Sequence, residues 1–221
     1  MIIVSMSFKS FAVALVLALP GLSAEPPLPT LRIEPMTAGS VLFVKNVSTQ
    51  PLTGYVIELV GYPGSFFALW RDEITGDPIA PGKEKRIQVS NMTVGAASDY
   101  VKVQGAIYAD GSTAGVKDRL EILLDRRRFS LTTVRDLVRR MEAGVKAAMP
   151  KEAITANLER AGEFLGPVGK MDRINAIQIN RAAARDLISE AGAYLGLHSV
   201  DQTLVMLRRW EKTLAESKPA L

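Results

Sequence analysis

Residues Tyr100–Leu124 read YVKVQGAIYADGSTAGVKDRLEILL, and the spacing of the apolar residues changes halfway along this stretch. The segment Tyr100–Tyr108 is rich in β-branched and aromatic residues, which is typical of a strand. Asp110-Gly111 follows as a strong hairpin-turn dipeptide. After Gly115 the apolar residues recur at helical spacing, at Val116, Leu120, Leu123 and Leu124. The stretch therefore predicts a change from strands to helices near Gly115.

The composition of the chain changes at the same place. Residues 1–115 hold 9 of the 12 prolines and 10 of the 14 aromatic residues. Residues 116–221 hold 19 of the 27 basic residues against 14 acidic ones, so this half carries +5 within a total of +4. Such a shift is typical of a domain boundary, and 221 residues are enough for one or two domains. We predict a β domain over residues 30–115 and a helical region over residues 116–221.

The first half predicts six or seven short strands separated by turn signals. The clearest strands are Val41–Val47, Tyr55–Val60, Phe67–Trp70, Arg86–Ser90 and Tyr100–Tyr108. Many short strands at this spacing favour an immunoglobulin-like sandwich. We therefore predict the α+β class, with an N-terminal immunoglobulin-like antiparallel β-sandwich followed by a C-terminal α-helical region.

The second half predicts four or five amphipathic helices. Two features leave the extent of the first helix undecided. The run Arg126-Arg127-Arg128 allows a kink or a break, and Leu120–Leu124 also fits a last strand. Met149-Pro150 and Gly166-Pro167 are helix stops. Ser199 with Gln202 is a capping box that opens the last helix.

The first 24 residues have the pattern of a secretory signal peptide. Lys9 precedes the apolar run Phe11–Leu19, which is too short to span a bilayer, and a small residue, Ala24, ends the segment. We expect export to the periplasm or secretion after cleavage near Ala24, with an uncleaved N-terminal anchor as the alternative. The Pro-rich segment 25–29 is predicted to be a spacer that leads to the first strand.

The residue inventory excludes several kinds of chemistry. There is no cysteine, so disulfides, thiolate metal sites and a Cys nucleophile are excluded, and one histidine, His198, cannot form a multi-histidine site. The hydrolase motifs G-x-S-x-G, H-E-x-x-H and S-x-x-K with its partner motifs are absent from the sequence. We therefore predict no catalytic residue, no cofactor and no metal ion. The reading that His198 is a surface or capping residue is favoured over a general base.

Acidic residues offer one catalytic alternative. Asp72, Glu73 and Asp77 lie at a strand end and a turn, where a carboxylate acid–base pair or a calcium site is conceivable. Acids at such positions more often face water, and that interpretation is favoured. Asp110-Gly111-Ser112-Thr113 lacks the spacing of an EF-hand and is predicted to be a hairpin turn.

The basic segment 126–140 is the strongest candidate for an interaction surface. If it is helical, Arg128, Arg135 and Arg139 lie on one face, suited to an anionic lipid, a polymer or an acidic partner. The favoured alternative is a solvated face with i,i+4 ion pairs, such as Asp136–Arg140 and Glu142–Lys146. Export argues against nucleic acid, as does the presence of only one aromatic residue, Phe129, among these arginines.

Two strings resemble a family of uncharacterised exported bacterial proteins of the acidobacterial type. Residues Tyr108–Gly115 (YADGSTAG) are similar to the hairpin that ends an immunoglobulin-like domain there, and Asn46–Tyr55 (NVSTQPLTGY) to an early strand-turn-strand. The resemblance covers about residues 40–130. It implies export, the order β then α, and an Arg-containing helical segment after the hairpin, and it implies no catalytic residue.

These observations favour a non-catalytic interaction or structural module of the bacterial periplasm or cell envelope. Its partner would be a protein or another envelope component, bound by a strand edge, by loops or by the arginine face. The two alternatives are a carboxylate-dependent hydrolase or carbohydrate-active protein, and a module that binds anionic membrane surfaces through the Arg-rich helix.

Overall fold

A computed structural model describes residues 25–37, 39–90, 95–163, 165–167, 169 and 173–220. The predicted signal segment, residues 1–24, lies outside the described residues. Strands come first and helices follow, which confirms the mixed α+β class and the β-then-α order. The strands are β1 (Thr30–Met36), β2 (Gly39–Lys45), β3 (Leu52–Leu59), β4 (Ala68–Asp72), β5 (Glu84–Ser90), β6 (Val101–Tyr108) and β7 (Thr113–Gly115). The helices are α1 (Lys117–Lys146), α2 (Lys151–Glu163), α3 (Ala176–Leu197) and α4 (Val200–Ala215), and a 3-10 helix spans Gly95–Tyr100.

The strands form two antiparallel sheets that pack face to face. Sheet A has the order β1-β2-β5, and sheet B has the order β4-β3-β6-β7. Their inner faces share one buried cluster, to which sheet A contributes Leu42 and Val44. Sheet B contributes Tyr55, Ile57 and Val103 to the same cluster. The predicted hairpin at Asp110-Gly111 is confirmed as the connection between β6 and β7.

Sheet B is covered on both faces, whereas sheet A is covered on one. In β5 the exposed and half-buried residues alternate, as expected for a strand with one solvated face. In β3 every residue from Leu52 to Glu58 is buried. The outer face of sheet B forms a second buried cluster with α1 and α3, made of Val56, Trp70, Ile107, Leu123 and Ile179. The helices therefore pack back onto the sheets.

The strand β1 was not among the strands predicted by name. It carries Pro35, and a proline lowers the strand signal of a segment. Because β1 lies at the edge of sheet A, it tolerates a residue that cannot donate to the ladder. Leu31 and Ile33 point to the buried side and pack against the cluster between the sheets.

The Pro-rich segment that precedes β1 lies against the sheets. Pro29 is buried, and the Tyr108 hydroxyl donates a hydrogen bond to the carbonyl oxygen of Pro27. The Gly115 N–H donates to the Glu25 carboxylate at 2.9 Å. This segment therefore contacts both β6 and β7 before it enters β1.

Helix α1 runs without interruption through the arginine run, so neither the predicted break nor the alternative strand at Leu120–Leu124 is formed. Its 30 residues correspond to about 45 Å. The N-terminal part of α1 lies on sheet B, where Leu123 joins the outer cluster. The C-terminal part contributes Val134, Leu137 and Met141 to the core of the helical region. One helix therefore connects the two cores.

The helical core is completed by apolar residues of α2, α3 and α4, chiefly Leu158, Leu195, Leu207 and Trp210. The crossing of α1 and α2 is close at Gly144, where a Cβ atom would lie 2.8 Å from Cγ1 of Ile154. The predicted capping box is confirmed, since Ser199 and Gln202 exchange side-chain and backbone hydrogen bonds at the start of α4.

Candidate functional site

The three acids singled out in the sequence lie where the two halves of the molecule meet. Asp72 ends β4, and Glu73 and Asp77 belong to the loop that leads towards β5. Ile74 of this loop packs against the helical core. The loop is therefore held between sheet B and the helices.

Asp72 is neutralised by a buried arginine. The Arg127 side chain is 0% exposed, and its Nε and Nη2 atoms donate to the two carboxylate oxygens of Asp72, both at 2.9 Å. Arg127 also donates to Thr53 Oγ1 at 3.2 Å and to the carbonyl oxygen of Lys218 at 3.1 Å. Gly54 leaves room for it, because a Cβ atom there would lie 3.2 Å from Nη2. This cluster ties α1 to sheet B and to the C-terminal segment.

Glu73 is also held in ion pairs. It accepts hydrogen bonds from Lys85 Nζ at 2.6 Å, from Arg71 Nε at 3.1 Å and from the Tyr55 hydroxyl at 3.3 Å. Burial alone would raise the pKa of the Glu73 carboxyl, but the contacts with Lys85 and Arg71 outweigh burial and hold the pKa below its usual value. Burial, together with the charge of Glu73, raises the pKa of Tyr55. A carboxylate in this state is poorly suited to act as a general acid.

The lowered pKa of Glu73 predicts acid sensitivity. Its contribution to the free energy of unfolding is complete above the unfolded pKa, about 4.3, and is lost as the pH falls through the lower folded pKa. In urea denaturation at a series of pH values, the Glu73→Gln variant is expected to lose less stability between neutral and acidic pH than the wild-type protein. Equal losses in the two proteins would contradict this assignment.

A cleft of about 290 Å³ lies between the loop after β4 and the helices α1 and α3. On the sheet side it is lined by Arg71, Glu73 and Lys85. On the helical side it is lined by Arg126, Ser130, Asp186 and Glu190, among others. The sequence-predicted acids Asp72, Glu73 and Asp77 all contribute to its lining.

Arg126 is the half-buried cation of this cleft. Within the described residues, no carboxylate lies within ion-pair distance of its guanidinium, although Asp72 and Asp186 attract it from further away. Burial lowers the pKa of Arg126, and these two acids offset the effect only in part. An arginine remains protonated in proteins, so the cleft contains a positive charge with unused hydrogen-bond donors.

Two acids of α3 also line the helical side of the cleft. Asp186 and Glu190 are four residues apart on one face of the helix, and both are exposed. Partial burial, and then repulsion from Asp186, raises the pKa of Glu190. The cleft therefore presents positive charge from the half-buried Arg126 of α1 and negative charge from two exposed acids of α3.

A second, more apolar groove of about 360 Å³ continues from the cleft past Thr75, Gly76 and Asp77. Its helical wall carries Tyr194, Val205, Met206, Arg209 and Trp210. The lone histidine lies behind this wall, between α3 and α4, with its ring stacked on Tyr194 at 3.8 Å. His198 thus supports an aromatic side chain of the groove.

The predicted arginine face is exposed and lies outside the cleft. Arg128, Arg135 and Arg139 are all on the solvated side of α1. Arg135 pairs with Glu211 of α4 at 3.3 Å, and Arg139 pairs with Asp136 of its own helix. Of the two predicted i,i+4 pairs, Asp136–Arg140 is confirmed at 2.6 Å, whereas Glu142 accepts a hydrogen bond from Arg208 of α4. These contacts resemble an ordinary solvated face.

Sequence reasoning missed the two inward-facing arginines. Arg126 and Arg127 belong to the basic segment but were not distinguished from the exposed arginines. One signal was present for Arg127, since it lies four residues after Leu123 and four before Leu131, on the apolar stripe of α1. An arginine on such a stripe indicates a buried partner acid. No comparable sequence pattern distinguishes Arg126 from the exposed arginines.

No protein-family model, curated protein or solved structure matches this chain at a significant level. Among the helices in the described part of the chain, none is long and apolar enough to cross a membrane. Within the same residues, no group of three or more histidine or acidic side chains is arranged to hold a metal ion. The function must therefore be inferred from the cleft and its neighbours.

Proposed function

We propose that this protein is a non-catalytic interaction or structural module of the bacterial periplasm or cell envelope, and that the cleft around Arg126 is its binding site. Export is proposed from the signal-peptide pattern of residues 1–24. The observation that carries the site is the half-buried Arg126, which has no ion-pair partner among the described residues. A half-buried cation with unused donors forms strong charge-assisted hydrogen bonds with an anionic ligand group.

The strand order supports an immunoglobulin-like architecture for the sheet domain. In immunoglobulin lettering, β1, β2 and β5 correspond to strands A, B and E, and β4, β3, β6 and β7 to strands C′, C, F and G. The distribution of A, B and E on one sheet and of C, F and G on the other is the arrangement of that fold. Domains of this architecture serve many functions, so the architecture alone does not indicate a ligand.

The state of the carboxylates favours binding over hydrolysis. A carboxylate-dependent hydrolase needs one acid that can give up a proton and a second that is available to attack or to activate water. Asp72 is bound by Arg127, and Glu73 is bound by Lys85 and Arg71. Two of the three candidate acids are therefore occupied by structural contacts, and the third, Asp77, is exposed to solvent.

The test is retention of a ligand from envelope extract by the immobilised full-length protein, with mass spectrometry of both polypeptides and small molecules. We expect the Arg126→Ala variant to retain about tenfold less of the bound component, which corresponds to the 1.4 kcal/mol of one charge-assisted contact. The matched control is Arg128→Ala, which removes an exposed arginine two positions away and is expected to retain the wild-type amount.

Equal retention by the Arg126→Ala variant would place binding elsewhere. Loss of retention in a double variant, Arg128→Ala with Arg135→Ala, would favour the arginine face and an anionic surface instead. A component that is converted to smaller products by the wild-type protein would favour the hydrolase alternative.

A further inference from the structure

We propose, on the basis of the function proposed above, that the ligand of this cleft is a small zwitterion. Such a molecule carries one carboxylate and one ammonium group a few bonds apart, as a free amino acid or a dipeptide does. The carboxylate would bind at Arg126, and the ammonium would bind between Asp186 and Glu190. This assignment follows from how charge is distributed within one cleft.

Around Arg126 the cleft has an excess of positive charge after its internal pairs are counted, and Asp77, the remaining acid of the loop, is exposed and also lines the neighbouring groove. Asp72 is balanced by Arg127 behind it. Glu73 is shared by two cations, Arg71 and Lys85, so that this group carries a net charge of +1. Arg126 adds a further positive charge, and a carboxylate group is the simplest ligand for a guanidinium with unused donors.

The acids of α3 contribute the opposite charge. Asp186 and Glu190 both line the cleft four residues apart, and partial burial, followed by repulsion from Asp186, raises the pKa of Glu190. Asp186 attracts Arg126 but lies beyond ion-pair distance from it. Within the described residues, Arg126 therefore forms no direct ion pair with the acids of α3.

This polarity discriminates against ligands of a single charge. An anion at Arg126 would be repelled by the acids of α3, and a cation at those acids would be repelled by Arg126 and by the group around Lys85. A zwitterion satisfies both charges at once. The volume of about 290 Å³ lies at the lower end of the range for ligand pockets, which favours a small molecule over a folded partner.

The test uses three probes that differ in their terminal charges: alanyl-alanine, its N-acetylated form, which lacks the ammonium, and its C-terminal amide, which lacks the carboxylate. Isothermal titration calorimetry on the full-length protein is expected to show binding of the free dipeptide at least about tenfold tighter than of either capped form. The Arg126→Gln variant is expected to lose the preference for the free acid over the amide. The Glu190→Gln variant is expected to lose part of the preference for the free amine over the acetylated form.

The Arg128→Ala variant is the control and should keep both preferences, and the melting temperature of each variant verifies that it is folded. The inference is overturned if the capped dipeptides bind as tightly as the free one, or if none of the three binds. In that case, Arg126-dependent retention of another component from extract would leave the proposed function standing. Retention that does not depend on Arg126 would overturn the proposed function itself.

Discussion

Replacement of Arg127 by leucine is expected to lower the free energy of unfolding by about 3–5 kcal/mol, because it leaves the Asp72 carboxylate buried without its partner. The Asp72 side chain is 8% exposed, so water replaces few of the lost hydrogen bonds. Thr53 and the carbonyl oxygen of Lys218 lose a donor in the same change. Urea denaturation followed by circular dichroism measures the effect.

The neighbouring residue provides the control for this prediction. Arg128→Ala removes an arginine from the exposed side of the same helical turn and is expected to change the free energy of unfolding by no more than about 0.5 kcal/mol. In the double variant Arg127→Leu with Asp72→Leu, part of the loss should be recovered, since no uncompensated charge is left in the interior. A small effect of Arg127→Leu alone would contradict a structural role for the pair.

Replacement of Gly115 by alanine is expected to cost about 3 kcal/mol, from backbone strain together with a steric clash. Gly115 has φ of 108°, a conformation that residues with a side chain rarely adopt. A Cβ atom would lie 2.4 Å from the carbonyl oxygen of Gln104, which belongs to the backbone of β6. The same oxygen accepts the hydrogen bond of Val116 N–H at the entry to α1, so the substitution disturbs the passage from sheet to helix.

A glycine in an open position is the matched control. Gly192 lies inside α3, and outside the adjoining backbone of this helix no atom lies within 4 Å of the position that its Cβ would take. Gly192→Ala should therefore stabilise the protein, by up to about 1 kcal/mol, because alanine has the higher helix propensity. Thermal denaturation of the two variants should show opposite shifts, and a melting temperature of the Gly115→Ala variant equal to that of the wild-type protein would contradict the prediction.

Local patterns in the sequence predicted the order of elements well. The change from strand to helical spacing near Gly115 depends only on which residues neighbour each other along the chain. The Asp110-Gly111 hairpin and the Ser199 capping box were found for the same reason, since each is a contact between residues a few positions apart. The strand β1 was missed because Pro35 lowers the strand signal of its own segment. In the structure, pairing with β2 holds this segment as a strand despite the proline.

The sequence also indicates which strands are covered on one face and which on both. The alternation in Arg86–Ser90 indicates one solvated face, whereas Tyr55-Val56-Ile57 is apolar on both sides of its strand. The second pattern is consistent with the helices that cover sheet B. The pattern does not identify the covering element, because an apolar face can be buried by any partner of similar shape.

The candidate site could be predicted only in part. The sequence grouped Asp72, Glu73 and Asp77 at one turn, and all three line one cleft, but the favoured interpretation that these acids face water is wrong for Asp72 and Glu73, which are held in ion pairs, and fits only Asp77. Their roles depend on residues far away in the chain, namely Arg127 for Asp72 and Lys85 for Glu73. The acids opposite them, Asp186 and Glu190, lie more than 100 residues later and carry no local signal of that relationship.

The three consecutive arginines show which information the sequence alone does not contain. The sequence determined that residues 126–128 are charged and lie in a segment with helical spacing. Successive side chains of a helix point about 100° apart. Only the tertiary structure decided that Arg127 points to Asp72 in the interior, Arg126 into the cleft and Arg128 into water. The physical reason is that the three residues have the same chemistry, so their environments are set by the surfaces that pack around α1.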